Sequence, residues 1–149
     1  KRLRKIPERT LYLNLAGYHK AQEAGEILFT PAIPAYYALN FALDELIEET
    51  VIGRIKRYAK AAKLLRTGFR QIGLEFLIPE NWQSNCLTSL RLPKDVSYEK
   101  LHDELKANGF VIYAGQGNLS ENIFRVANMG DITQKEFERF LQILQSILL

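Results

Sequence analysis

Arg125 is the side chain of this sequence with the clearest capacity for chemistry. It lies in the alternating stretch Ile123-Phe124-Arg125-Val126-Ala127. Because the side chains of a strand alternate between two faces, this pattern predicts a strand with Phe124 and Val126 in the core and Arg125 on the opposite face. A guanidinium held on a rigid strand suits a planar anion bound through two parallel hydrogen bonds. An arginine paired with a surface carboxylate would produce the same pattern, and on this stretch alone that plainer interpretation is favoured.

Other residues of chemical interest are better explained by structure. The glycines of Gly115-Gln116-Gly117 lead into a strand rather than a helix, which argues against a dinucleotide-binding loop. Ser97 fits a helix cap better than a nucleophile paired with Lys100. His19 and His102 have no metal-ligand spacing to other residues, so we expect no metal site. These residue types and spacings therefore do not by themselves predict a complete catalytic site.

Composition excludes several classes of protein. The 149 residues suit one domain or part of a larger protein, and a net charge of +3 is too small to indicate a nucleic-acid partner. No apolar run is long enough to span a bilayer, so we expect no membrane association. The single cysteine, Cys86, is typical of a reducing compartment and favours a cytoplasmic protein.

The patterns of apolar residues predict an α+β fold. We expect a helical block followed by a small antiparallel or mixed sheet of about four strands, with helices packed on one face. Thr30 precedes Pro31 in Thr30-Pro31-Ala32-Ile33-Pro34, so it ends an extended segment, and Pro34 is well placed to begin a helix. That helix is apolar around much of its circumference and should be substantially buried. The predicted helices are 10–24, the one from Pro34, 51–72 with Thr50 as its cap, the one capped by Ser97, and one that begins at the capping box Thr133-Gln134-Lys135-Glu136. The predicted strands are 74–78, 86–92, 110–113 and the Arg125 strand.

Three motifs together resemble class V pyridoxal-phosphate aminotransferases. They are Phe29-Thr30-Pro31-Ala32-Ile33-Pro34, Val111-Ile112-Tyr113-Ala114-Gly115 and the stretch from Phe124 to Asp131. They occur in the family's order and at family-like separation, and the resemblance runs from about Thr10 to the C-terminus. Within the family, the sequence is most similar to the enzymes that act on 2-aminoethylphosphonate and pyruvate. The loop after Tyr113 departs from the family by reading Gly115-Gln116 in place of glycine-lysine.

The resemblance implies roles for two residues. Arg125 matches the family arginine that binds the substrate carboxylate, in agreement with the physical argument for an anion. Thr30 matches the threonine that hydrogen-bonds the phosphate of pyridoxal 5'-phosphate in the neighbouring subunit of a homodimer. An extended threonine can present its hydroxyl and backbone N–H to an anion, whereas a cap or turn residue is the structural alternative. The implied substrates are a small-molecule amino donor and a 2-oxo acid.

The resemblance also implies that the chain is a fragment. Residues 1–34 correspond to the end of the family's large cofactor domain and residues 35–149 to its C-terminal small domain. The Schiff-base lysine of the family lies further upstream of the Thr-Pro motif than this chain extends, so we expect no catalytic residue here and no activity from the chain alone. The alternative is a non-catalytic ligand-binding or protein-interaction domain that keeps the same fold.

Overall fold

The structure, a computed structural model, describes Arg2, residues 5–7 and residues 10–149. It divides into two compact units, Lys1–Glu48 and Glu49–Leu149. The family-based division between residues 34 and 35 concerns the parent enzyme and stays a prediction. In the described residues, no helix is both long and apolar enough to cross a membrane.

The first unit contains helices α1 (Leu15–Ala24) and α2 (Ile33–Glu49). Helix α1 begins later than predicted because the side chain of Asn14 caps it, accepting a hydrogen bond of 3.0 Å from the N–H of Gly17. The prediction that α2 is substantially buried is wrong, since none of its residues is buried. The helix does carry the apolar residues that the pattern indicates, but the first unit supplies too little structure to cover them. The large side chains that α2 exposes include Tyr36, Tyr37, Leu39, Phe41 and Ile47.

The second unit is an α+β fold, as the sequence predicts. Its elements are α3 (Val51–Ile72), β1 (Leu87–Arg91), α4 (Tyr98–Ala107), β2 (Tyr113–Ala114), β3 (Ile123–Ala127) and α5 (Gln134–Leu148). The strands form an antiparallel sheet in the order β1-β3-β2, which places the Arg125 strand in the centre.

The sheet is smaller than predicted. The stretch 74–78 is not a strand, since it contributes only an isolated bridge between Phe76 and Leu90. Around this bridge the N–H of Leu77 donates to the carbonyl of Ser89 at 3.0 Å, and the N–H of Arg91 donates to the carbonyl of Glu75 at 2.8 Å. Pro79, which cannot donate to a ladder, and a short 3-10 turn at Glu80–Trp82 then follow. Strand β2 is also shorter than the predicted 110–113 and begins at Tyr113.

One core joins the inner face of the sheet to the three helices of this unit. Phe124 and Val126 of β3 and Leu90 of β1 belong to it. The helices supply buried apolar side chains that cluster with them, so all three pack on one face of the sheet. These helix residues are Ala61, Leu65, Phe69, Leu101, Leu105, Phe137, Phe140 and Leu144. The predicted caps are confirmed: Thr50 on α3, Ser97 on α4, and on α5 a capping box between Thr133 and Glu136.

An arginine ties the start of α3 to the turn that follows β3. Arg57 donates from Nε to Oε1 of Glu49 at 2.5 Å and from Nη1 to the carbonyl of Gly130 at 2.5 Å. Arg54 donates to the other oxygen of Glu49 at 2.6 Å. The hydroxyl of Tyr58 accepts the N–H of Gly130 at 3.3 Å. The end of β3 is therefore fixed to the first turns of α3.

The ion pairs of Glu49 with Arg54 and Arg57 predict a pH dependence of stability. The hydrogen bonds from Arg57, and then those from Arg54, lower the pKa of Glu49 from 4.5 to about 2. Because the folded pKa lies below the unfolded value, the contribution of Glu49 is fully present above pH 4.5 and is lost as pH falls toward 2. We expect Glu49→Gln to remove this part of the pH dependence, measured as the free energy of urea unfolding across that range. Glu48→Gln removes a nearby exposed carboxylate without an ion pair in the described chain and is the control. Parallel curves for wild type and Glu49→Gln would contradict the assignment.

Candidate functional site

Arg125 lies on the face of the sheet opposite the core. In the register of the ladder it faces Ser89 of β1 on one side and Tyr113 of β2 on the other. Residues directly opposite on neighbouring antiparallel strands share a face, so the three side chains form one row. This confirms the predicted orientation of β3, with Phe124 and Val126 inward.

Among the described residues, the guanidinium of Arg125 is hydrogen-bonded at one nitrogen, Nε. Its Nε donates to the carbonyl of Ala114 at 2.8 Å, and the side chain is half-buried. No carboxylate of the described residues forms an ion pair with it, and its two terminal nitrogens have no hydrogen-bond partner there. The plainer interpretation, a surface arginine paired with a carboxylate, is therefore wrong within this part of the chain. The group is held in place while its fork of N–H donors stays available.

The loop after β2 fixes the carbonyl on which Arg125 rests. The N–H of Gly115 donates to the carbonyl of Ile123 at 3.1 Å, and a 3-10 turn follows at Gly117–Leu119. A Cβ on Gly115 would lie 2.3 Å from the carbonyl oxygen of Leu119 and 2.8 Å from Cγ1 of Ile123. Only glycine fits between these groups, so Gly115 allows the loop to close against the outer side of β3.

Asn128 secures the other end of β3. It is 2% exposed, and its side-chain amide donates to the carbonyls of Asn85 at 2.9 Å and Tyr58 at 3.4 Å. Its backbone N–H donates to the carbonyl of Cys86 at 3.1 Å. These bonds join β3 to the segment before β1 and to α3. This role of Asn128 has no local signal in the sequence, because a polar residue after a strand is common and the partners of Asn128 are distant in sequence.

Thr30 lies in the first compact unit, outside any helix and shortly before α2 begins at Ile33. Its side chain is exposed, and its hydroxyl has no hydrogen-bond partner among the described residues. It is therefore neither a helix cap nor a turn residue that bonds its own backbone. Its hydroxyl is available to bind an anion.

The fold is an α+β domain of the kind found at the C-terminus of aminotransferases. Among solved structures, the chain is similar to ureidoglycine–glyoxylate aminotransferase from Bacillus subtilis, with a TM-score of 0.87 and 25% sequence identity. That match covers 99% of this chain and 39% of the other. No model of a known protein family matches the chain.

The sequence relatives are aminotransferases too. The chain is 35% identical over 127 residues to an uncharacterized aminotransferase of Methanocaldococcus jannaschii, covering 84% of this chain and 33% of that protein. It is also 35% identical over 127 residues to a 2-aminoethylphosphonate–pyruvate transaminase of Lysinibacillus sphaericus, covering 83% of this chain and 34% of that protein. The homologues of this chain are aminotransferases, which confirms the resemblance. The chain spans about a third of their length.

The packing around Gly115 gives a testable prediction. We expect Gly115→Ala to lower the free energy of unfolding by about 1–3 kcal/mol, because the added methyl group must displace backbone or Ile123. Gly117→Asn is the control, since a Cβ there meets nothing within 4 Å and asparagine tolerates its φ of 55°. Urea unfolding measures both. An unchanged stability of Gly115→Ala would show that the loop closes differently.

Proposed function

We propose that this chain is the C-terminal part of a pyridoxal-phosphate-dependent aminotransferase that transfers an amino group from 2-aminoethylphosphonate, or a related amino donor, to pyruvate. The observation that carries the proposal is the guanidinium of Arg125, anchored at Nε and with both terminal nitrogens unpaired in the described chain. It lies on the central strand of a domain whose homologues are aminotransferases.

Arg125 binds the substrate carboxylate in this proposal. Its terminal N–H groups match the two oxygens of a carboxylate and hold them by parallel charge-assisted hydrogen bonds. The bond to Ala114 prevents the guanidinium from turning with its ligand, so the bound acid keeps one orientation. A fixed orientation lets the reacting carbon of the substrate meet the amino-group carrier in productive geometry.

Pyridoxal 5'-phosphate is the expected cofactor of the parent enzyme, and Thr30 is the residue of this chain that would contact it. The exposed, unpartnered hydroxyl of Thr30 fits a phosphate oxygen. The cofactor supplies, when bound, the carbonyl that accepts and returns the amino group. We place the contact across a homodimer, with Thr30 of one subunit on the phosphate held by the other. In this proposal, the lysine that attaches the cofactor belongs to the remainder of the parent enzyme. We also propose that the parent enzyme is cytoplasmic.

An activity assay tests the proposal. The full-length protein of the same gene, supplied with pyridoxal phosphate, should form alanine from 2-aminoethylphosphonate and pyruvate, whereas the 149-residue chain alone should form none. If the full-length protein transaminates no amino donor but still binds a small ligand or a protein, the chain is the non-catalytic domain considered as the alternative. Alanine formation by the chain alone would contradict its fragment status.

The role of Arg125 predicts a large kinetic effect. We expect Arg125→Ala in the full-length enzyme to lower kcat/KM for pyruvate by a factor that corresponds to about 2–4 kcal/mol, because one charge-assisted pair is lost. Arg125→Lys should recover only part of the loss, since an ammonium cannot form the planar fork. Arg91→Ala is the control on the same face of the sheet, where Arg91 is exposed and 3.9 Å from Glu75. Equal kinetics for Arg125→Ala and Arg91→Ala would refute the assignment.

A further inference from the structure

Tyr113 is a large exposed side chain placed next to the anchored arginine. It lies directly opposite Arg125 in the ladder, so both side chains project from the same face of the sheet. It is 63% exposed, although its neighbour Ile112 is 1% exposed and belongs to the core. The phenol hydroxyl has no hydrogen-bond partner in the described chain. The backbone of Tyr113 is therefore held in the sheet, while its hydroxyl forms no hydrogen bond within the described chain.

The side chain of Arg125 is hydrogen-bonded to β2, the strand that carries Tyr113. Its Nε binds the carbonyl of Ala114, the residue that follows Tyr113 on β2. Ser89 lies on β1, the strand on the other side of β3. We therefore expect an acid bound by the terminal nitrogens to lie nearer to the phenol of Tyr113 than to the hydroxyl of Ser89.

We propose that Tyr113 is a second binding residue for the substrate carboxylate, an inference that rests on the proposed function. A carboxylate has about four acceptor positions, and the fork of Arg125 uses two of them. The hydroxyl of Tyr113 donates to one that remains, and its ring forms a wall against the short carbon chain of the acid. The pair selects small 2-oxo acids, because a bulkier side chain on the carbon next to the carboxylate meets the ring.

Conservative variants of the full-length enzyme test this inference. Tyr113→Phe keeps the ring and removes the hydroxyl, and it should raise KM for pyruvate roughly tenfold with little change in kcat, as for loss of a hydrogen bond to a charged group. The inhibition constant of oxamate, a pyruvate analogue that does not accept an amino group, should rise by a similar factor. Tyr113→Ala should raise KM for pyruvate and the inhibition constant of oxamate further. It should also reduce the preference for pyruvate over 2-oxo acids with larger side chains, because the ring that excludes them is gone.

Two comparisons separate the possible causes of failure. Ser89→Ala is the matched control on the other side of Arg125. It should change KM for pyruvate and the inhibition constant of oxamate by less than about twofold, because the hydroxyl of Ser89 does not contact the acid in this proposal. The urea unfolding curve of Tyr113→Phe should match the wild type, because its hydroxyl has no partner in the described residues. If Arg125→Ala weakens oxamate but Tyr113→Phe does not, or if Ser89→Ala weakens it more, this inference is overturned while the proposed function stands. If Arg125→Ala has no effect on oxamate, the proposed function itself fails.

Discussion

The hydrogen bond from Nε of Arg125 to the carbonyl of Ala114 is the interaction on which the site depends. An arginine side chain has many rotamers, and an unanchored guanidinium loses much conformational entropy when it orders around a ligand. A bond at Nε removes most of that freedom in advance and leaves the two terminal nitrogens without a partner among the described residues. The chain thus presents a preorganised cation rather than a mobile one, and preorganisation improves affinity by reducing the cost of ordering.

The rest of the second unit holds the two partners of this bond in place. Strand β3, which carries Arg125, is the central strand and is paired on both sides. Its beginning is closed by the loop at Gly115, and its end is secured by Asn128 and by the contact of Arg57 with Gly130. On the inner face, Phe124 is fully buried in the core. Displacement of β3 would therefore disturb both the core packing and the backbone hydrogen bonds of the sheet. The strand thus restrains the position of the guanidinium of Arg125.

The sequence predicted the features that are encoded locally. Alternation around Arg125 identified its strand and its face, and Thr133 with Glu136 identified the start of α5, because each signal needs only a few neighbouring residues. The partners of Arg125 could not be read in the same way. The carbonyl of Ala114 is a backbone group with no signature of its own, and the close approach at Gly115 arises only after the loop has folded.

Errors in the prediction have a similar origin. The stretch 74–78 has the composition of a strand, but composition does not show how far it pairs with β1, and only the bridge at Phe76 forms. The apolar pattern of α2 indicates that the helix has a surface suited to packing against other protein. The pattern does not show which segment packs against that surface. Thr30 was identified through a family motif, since an exposed threonine before a proline has little physical signal by itself.

The most direct test of the account is a crystal structure of the full-length protein with a bound pyruvate analogue. The account predicts both carboxylate oxygens within hydrogen-bond distance, about 2.7–3.1 Å, of the two terminal nitrogens of Arg125, with Nε still on the carbonyl of Ala114. A carboxylate bound elsewhere, with Arg125 paired to an acidic side chain of the protein, would contradict the central claim.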